Sequence, residues 1–283
     1  MFVVTAATGH LGRLVVEALL QKVPAREIVA AVRDPAKAKD LAARGVAVRH
    51  ADYARPETLG PAFAGAQKLL LISSSEVGQR TRQHAAVVQA AKASGVKLLA
   101  YTSILHAPTS RIALAAEHKA TEETIRGSGL PHVFLRNGWY LENYTENLAP
   151  ALQHGAIVGS AGSGRIAAAA RIDFAQAAVA ALTAAAPKEA YELAGDQPFT
   201  MAELAAEVSR QTGKPIAYKD LPADQYRAVL TGAGLPGPVA DIYVDADLNI
   251  VKGELEDSSG ELQRLIGRKT TSLADAVRAA LAR

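Results

Sequence analysis

The feature that most limits what this chain folds into is the rhythm of its first half. Short apolar runs at residues 2–4, 27–32, 46–49, 68–72, 97–102 and 132–135 alternate with helix-period segments at 10–21, 36–43, 57–64, 79–93 and 111–126. A helix between two strands carries the chain back to start the second strand parallel to the first, so this alternation predicts βαβ units. The runs are nearly continuous in Val, Ile, Leu and Ala, as strands covered on both faces must be. Gly45, Gly65, Gly95 and Gly129 each stand between a helical segment and the next run, where a left-handed residue ends a helix. The expected fold is α/β, a Rossmann-type doubly wound parallel sheet.

Beyond residue 136 the rhythm breaks. The pattern predicts a helix over 138–153, then two short strands with a turn in the Gly-rich stretch 155–170. Asp173 is expected to cap a helix running to 185, with one more strand at 191–193. Thr200-x-x-Glu203 is a capping box for a helix ending near Gly213, and Ser272-x-x-Asp275 opens a last helix over 273–281. The stretch 221–250 reads as helical with a break at GAGLPGP. The expected organisation is a nucleotide-binding domain over 1–150, rejoined by about 172–195, and a smaller α+β cap over 151–283 that holds the substrate.

The turn TAATGHLG, residues 5–12, lies between the first strand and the first helix. A turn of this kind brings backbone N–H groups and a positive helix end up to a pyrophosphate. Ala6, Ala7, Thr8, Gly9, His10, Leu11 and Gly12 are therefore candidate cofactor residues, with Gly9 for close backbone approach and Gly12 for helix packing. Twenty-one positions after Gly12, the second strand ends at Arg33. Folds that prefer NAD place an acid there for the ribose 2′-hydroxyl, whereas a guanidinium suits a 2′-phosphate. NADP(H) is favoured over NAD(H), with Lys37 adding charge one turn on. Asp52, followed by Tyr53, ends the third strand and either bonds the adenine amino group or caps the next turn. Ser73, Ser74 and Ser75 follow the fourth strand, where their hydroxyls either reach a nicotinamide ribose or are ordinary loop residues.

Several chemistries are excluded. With no cysteine, there is no disulfide, thiolate metal site or cysteine nucleophile. The 31 basic and 28 acidic residues are interspersed, unlike the basic stripe of a nucleic-acid binder. The seven histidines make no H-x-x-x-H spacing, so no metal site is expected. The N-terminus does not read as a signal peptide and no apolar run is long enough to span a bilayer, which points to the cytoplasm. None of the eight tyrosines has Lys four residues later, so the Tyr-x-x-x-Lys proton donor of short-chain dehydrogenases is missing. His118 is the one side chain on the fifth helix that stands in its place; its alternative reading is a surface imidazole.

The chain resembles the NmrA-like group of atypical short-chain dehydrogenase/reductases. More narrowly, it is similar to the bacterial NADPH-dependent quinone oxidoreductases of the second type. TAATGHLG, VRDPAKA, ADYARPETL, LLLISSSEVGQR, AAKASGVKLLAYTS, LRNGWYLENY, YELAGD and TTSLADAV carry the likeness over nearly the whole chain. One departure is Ala6, where the family's G-x-x-G-x-x-G begins with glycine. The resemblance implies NADPH as cofactor and flavin-free hydride transfer to a quinone. The other reading is an NADP(H)-sensing regulatory protein without turnover. The resemblance also implies that Asn137, Gly138, Trp139, Tyr140, Leu141 and Glu142 meet the cofactor; Arg171, on the return from cap to sheet, either faces the cofactor or is a surface cation. Trp139, Tyr140, Asn143 and Tyr144 are implied to meet the acceptor. The expected partner is a small quinone, with no nucleic acid and no membrane, and self-association is left open.

Overall fold

The computed structural model describes residues 1–282. Its first elements are β1 (Phe2–Thr5), α1 (His10–Leu19), β2 (Ile28–Val32), α2 (Lys39–Ala43), β3 (Ala47–His50), α3 (Leu59–Phe63) and β4 (Lys68–Leu71). They continue with α4 (Arg80–Ala93), β5 (Leu98–Ile104), α5 (Ala115–Ser128), β6 (His132–Asn137), α6 (Glu142–Thr145), α7 (Ala149–His154) and β7 (Ala156–Gly159). The last are α8 (Arg171–Thr183), β8 (Ala190–Leu193), α9 (Met201–Thr212), β9 (Ala217–Asp220), α10 (Ala223–Gly232), α11 (Gly237–Ile250), α12 (Glu261–Ile266) and α13 (Leu273–Leu281).

Two compact units emerge. The first comprises Met1–Ala107, Ala116–Asn137 and Arg171–Leu193; the second comprises Pro108–Ala115, Gly138–Ala170 and the chain from Ala194. In the first unit seven strands pair in parallel in the order β3-β2-β1-β4-β5-β6-β8. Strand order reverses between β1 and β4, which leaves a crevice at their carboxyl ends, where doubly wound sheets bind ligands. All five residues of β2 are buried, and Phe63, Leu69, Leu71, Leu99, Tyr101 and Phe134 pack one face of the sheet. At roughly 1.5–3 kcal/mol for each large side chain buried, this core is the main source of the unit's stability.

Polar groups tie the far side of the sheet. Arg136 on β6 donates from Nε and one terminal nitrogen to the two Glu122 oxygens at 2.9 and 2.8 Å, and from the other to Glu192 on β8 at 2.7 Å. Ser103 on β5 donates to Glu122 at 2.7 Å. Glu122 is 1% exposed and Arg136 9%, so the pair has traded hydration for a fork of charge-assisted bonds.

The second unit pairs β7 with β9 in parallel. Thr200 and Glu203 form the expected capping box on α9, Gly213 ends that helix with φ +69°, and the Ser272 hydroxyl caps α13. Residues 138–153 are not one helix. Pro150, which cannot donate an N–H and disfavours helix before it, starts α7 afresh. Tyr140 bridges to Ala169 and Leu141 donates its N–H to Ala169 at 2.9 Å, so the chain enters the second unit at Gly138 rather than near 150. The fifth helix begins at Ala115, not 111: the N–H groups of Arg111 and Ala113 are taken by Glu254 and Asp245. β9 and α12 carry no apolar period long enough to announce them.

Two stability measurements test this account. Glu122→Ala removes two of the three carboxylate bonds of Arg136, leaving Glu192 as its partner, and should cost up to about 3 kcal/mol in urea unfolding, whereas the double change Glu122→Leu with Arg136→Met should recover most of that loss. Ala6 leaves β1 with φ +48°, a conformation that burdens any residue with a Cβ. Ala6→Gly should therefore add up to about 1 kcal/mol and raise Tm by roughly 2–4 °C.

Candidate nucleotide and acceptor sites

The turn after β1 is built for close approach. A Cβ on Gly12 would lie 2.3 Å from the Ala6 carbonyl oxygen, so only glycine lets α1 start this near the turn; on Gly9 it would lie 3.2 Å from the same oxygen. The Gly9 N–H closes the turn onto Ala6 at 2.9 Å, and Ala7 donates to Ala31 on β2. No side chain caps α1, and its first turn holds no acid. Among the described residues, the N–H groups of Thr8, His10, Leu11 and Gly12 find no protein acceptor. Unanswered donors at the positive end of a helix fit a pyrophosphate.

The neighbouring loops are lashed to this turn. The Tyr53 hydroxyl donates to the Ile72 carbonyl at 2.9 Å and meets the Thr5 hydroxyl, which itself donates to Leu70 and accepts from the Ile72 N–H. Burial raises the Tyr53 phenol well above its usual range, so it stays protonated. The ends of β1, β3 and β4 thus form one frame, with the Tyr53 hydroxyl spent inside it. Asp52 accepts the Ala54 N–H at 3.0 Å, the capping alternative, through one of its two oxygens.

Arg33 lies exposed at the end of β2 and donates to Glu76 at 2.9 Å, while Gln83 holds the other Glu76 oxygen at 2.7 Å. With 71% and 45% of the two side chains exposed, the Arg33–Glu76 pair is worth at most about 1 kcal/mol. Lys37 is exposed on the short turn after Asp34, which caps it through Ala36.

The serine loop after β4 is clamped from beneath. Ser73 donates its N–H to Thr102; Ser74 donates its N–H to His84 Nε2 at 3.0 Å, and Arg80 donates to the Ser74 carbonyl. Since His84 Nε2 accepts, its proton sits on Nδ1, directed at Thr121. Ser75 is exposed, and the Ser74 hydroxyl accepts from the Glu76 N–H. His118 is not at the surface: it is 4% exposed, with Nδ1 2.7 Å from the Tyr101 hydroxyl and Nε2 facing Arg80. Burial first, then the Arg80 charge, push both His84 and His118 down to about 3. A neutral ring walled in this way has no proton to give at neutral pH. At the end of β6, Asn137 is 6% exposed and its side-chain oxygen is buried without a partner, an acceptor left open at the carboxyl edge of the sheet.

The second unit holds its own pocket, a cavity of about 130 Å³. Trp139, Asn143 and Tyr144 line it; Tyr140 does not, and instead takes part in the bridge to Ala169. Sequence reasoning missed the opposite wall, where Tyr226, Tyr243 and Asp247 also line the cavity. The i, i+4 spacing of Tyr243 and Asp247 on α11 was the available signal. The Tyr144 hydroxyl is shielded from solvent and has no hydrogen-bond partner, although its ring stacks edge-on against Phe199 at 5.9 Å. Asp247 is 6% exposed, accepts the Ser160 N–H at 2.8 Å, and is pushed up to about 6 by burial. Gly138 and Leu141 are buried, Glu142 half-buried, and Arg171 is the first residue of α8 in the first unit.

Comparison with known proteins agrees with the likeness seen in the sequence. Quinone oxidoreductase 2 of Escherichia coli (strain K12) is 50% identical over 278 residues, 98% of this chain and 97% of its own length. The crystal structure of the NADPH-dependent quinone oxidoreductase QOR2 of Escherichia coli complexed with NADPH matches with a TM-score of 0.97. It is 49% identical and the match covers 99% of this chain and 100% of that one. Citrobacter sp. triphenylmethane reductase complexed with NADP(H) matches with a TM-score of 0.95 at 42% identity, over 99% and 100% of the two chains. The model of the NmrA-like family matches residues 1–276, and the chain belongs to that family.

Proposed function

We propose that this chain is an NADPH-dependent oxidoreductase that passes a hydride directly, without a flavin, to a quinone. The observation that carries this reading is its 50% identity, over nearly its full length, to a quinone oxidoreductase. The chain's own residues are suited to the task. The N–H groups from Thr8 to Gly12 would take the pyrophosphate, Arg33 would leave Glu76 for the 2′-phosphate, and Asn137 and the clamped Ser73–Ser75 loop would meet the nicotinamide half. Of the residues implied by resemblance, Gly138, Leu141 and Glu142, with Arg171, complete the cofactor set, and Trp139, Asn143 and Tyr144 serve the acceptor. NADPH, when bound, supplies two electrons and a hydrogen as hydride.

The missing Tyr-x-x-x-Lys pair agrees with this chemistry. Reduction of a ketone leaves an alkoxide that must be protonated strongly; reduction of a quinone leaves a phenolate-like oxygen, for which a weak acid suffices. The protein's share is then binding, orientation and exclusion of water. Among the described residues no helix is long and apolar enough to cross a membrane.

Mixing the purified protein with NADPH and 1,4-benzoquinone should consume the reduced-nicotinamide absorbance well above the protein-free rate; a rate equal to that control would favour a cofactor sensor. Arg33→Ala should weaken NADPH by about 10- to 100-fold, as expected for a lost charge-assisted contact of roughly 1.5–3 kcal/mol, and leave NADH within about twofold. Equal weakening of the two in a fluorescence titration would remove the role given to Arg33.

A further inference from the structure

The pocket of the second unit joins three features that its fold does not need. The first is size: about 130 Å³ is close to the roughly 150 Å³ cavity that accommodates benzene, so it suits one six-membered ring. The second is the Tyr144 hydroxyl, buried at the pocket wall with nothing to bond. Buried hydroxyls in a finished core have partners, and one left over points to a ligand atom. The third is Asp247, which spends one oxygen on the Ser160 N–H and has no further partner among the described residues.

We propose that this pocket seats a single-ring quinone, with Tyr144 donating a hydrogen bond to a quinone oxygen and Asp247, as the carboxylic acid, giving its proton to the reduced ring. The inference rests on the oxidoreductase reading and adds the place where the acceptor ring sits and the proton source. The hydride brings two electrons and one hydrogen and leaves a hydroquinone monoanion. The Asp247 O–H bond then breaks as a hydroquinone O–H bond forms, and water returns a proton to the carboxylate.

The surroundings of Asp247 favour the acid form. The titratable groups facing it are Tyr144 on α6, Tyr218 and Asp220 on β9, Tyr226 on α10 and Tyr243 on its own helix. None is a cation, and the Asp220 charge together with burial works against ionisation. The Ser160 N–H pulls the other way, which keeps the group titrating near 6 rather than far above it. An acid must be protonated to act, so its contribution is full below that pH and is lost as pH rises through it. Because the hydroquinone anion is a weak base, water replaces the acid at a modest penalty, about tenfold in kcat, less than the 10²–10⁴ typical of general acids.

Trp139 is the chain's only tryptophan and lines the pocket, so its fluorescence reports occupancy without cofactor or turnover. Lacking cysteine, the chain offers no thiol for a quinone to arylate. Titration with hydroquinone should change Trp139 emission saturably, and Tyr144→Phe should weaken that binding about three- to tenfold. Because Tyr144→Phe deletes only an unpartnered hydroxyl, its Tm should not fall. In turnover with NADPH and 1,4-benzoquinone, wild-type kcat should drop about tenfold on passing from below to above pH 6 and then level off. Asp247→Asn, which keeps the bond to Ser160, should sit on the low plateau at every pH. Wild-type hydroquinone binding in Tyr144→Phe, together with a wild-type pH profile in Asp247→Asn, overturns the inference and leaves the oxidoreductase reading standing. Saturable hydroquinone binding with no NADPH-dependent turnover overturns that reading, and the proton transfer with it.

Discussion

The structure turns on one steric fact: α1 begins almost against the carbonyl of Ala6. A side chain on Gly12 would overlap that oxygen, so the helix end, with its four unanswered N–H groups, is held at the strand-order reversal between β1 and β4. A capping Ser or Asp at position 9 would satisfy those donors from within and remove the reason for an anion to bind. Gly9 leaves them open, and the strain at Ala6 is accepted to aim them.

The loops around this turn are held by hydrogen bonds between polar groups of the protein itself. Tyr53 uses its hydroxyl to fasten β3's end to those of β1 and β4, and His84 with Arg80 grips both sides of the Ser74 peptide. Both histidines of this cluster stay neutral because burial and Arg80 disfavour a second charge. His118, the residue whose sequence position suggests a surrogate acid, is consumed as a spacer between Tyr101 and Arg80. Holding a loop still and donating protons place opposite demands on an imidazole, and here burial has decided for the first.

The parallel sheet was legible in the sequence because a strand buried on both faces must be written as an unbroken apolar run, and β2 is such a strand along its whole length. The capping residues Thr200 and Ser272 were legible for a similar reason, since the bonds they make are local. What could not be read were features decided by distant partners. The 138–153 segment has helical periodicity, yet its start is captured by Ala169 and its middle is interrupted at Pro150. β9 exists because β7 lies beside it, its own four residues being largely exposed. Arg33 was read from spacing alone, but its resting attachment to Glu76, forty-three residues on, was not. The residues lining the second unit's pocket divide in the same way: Trp139 and Tyr144 stood out as aromatics in one motif, while Tyr226 and Asp247 are joined to them only by folding.

That division bears on why a short-chain dehydrogenase scaffold works without its usual Tyr-x-x-x-Lys pair. Such a pair answers a demand set by the product: an alkoxide needs a strong, precisely held donor, and a lysine beside the tyrosine lowers its pKa to supply one. In this chain every tyrosine whose titration is clearly shifted moves upward through burial, so none is tuned for acid–base work. A product oxygen of phenol-like basicity removes the demand, and a carboxylic acid near its midpoint at mildly acid pH then suffices as donor. Asp247 meets that condition through burial and a single N–H bond, without any cationic partner. The loss of the usual acid therefore suits acceptors whose reduced form is a weak base, as a hydroquinone anion is.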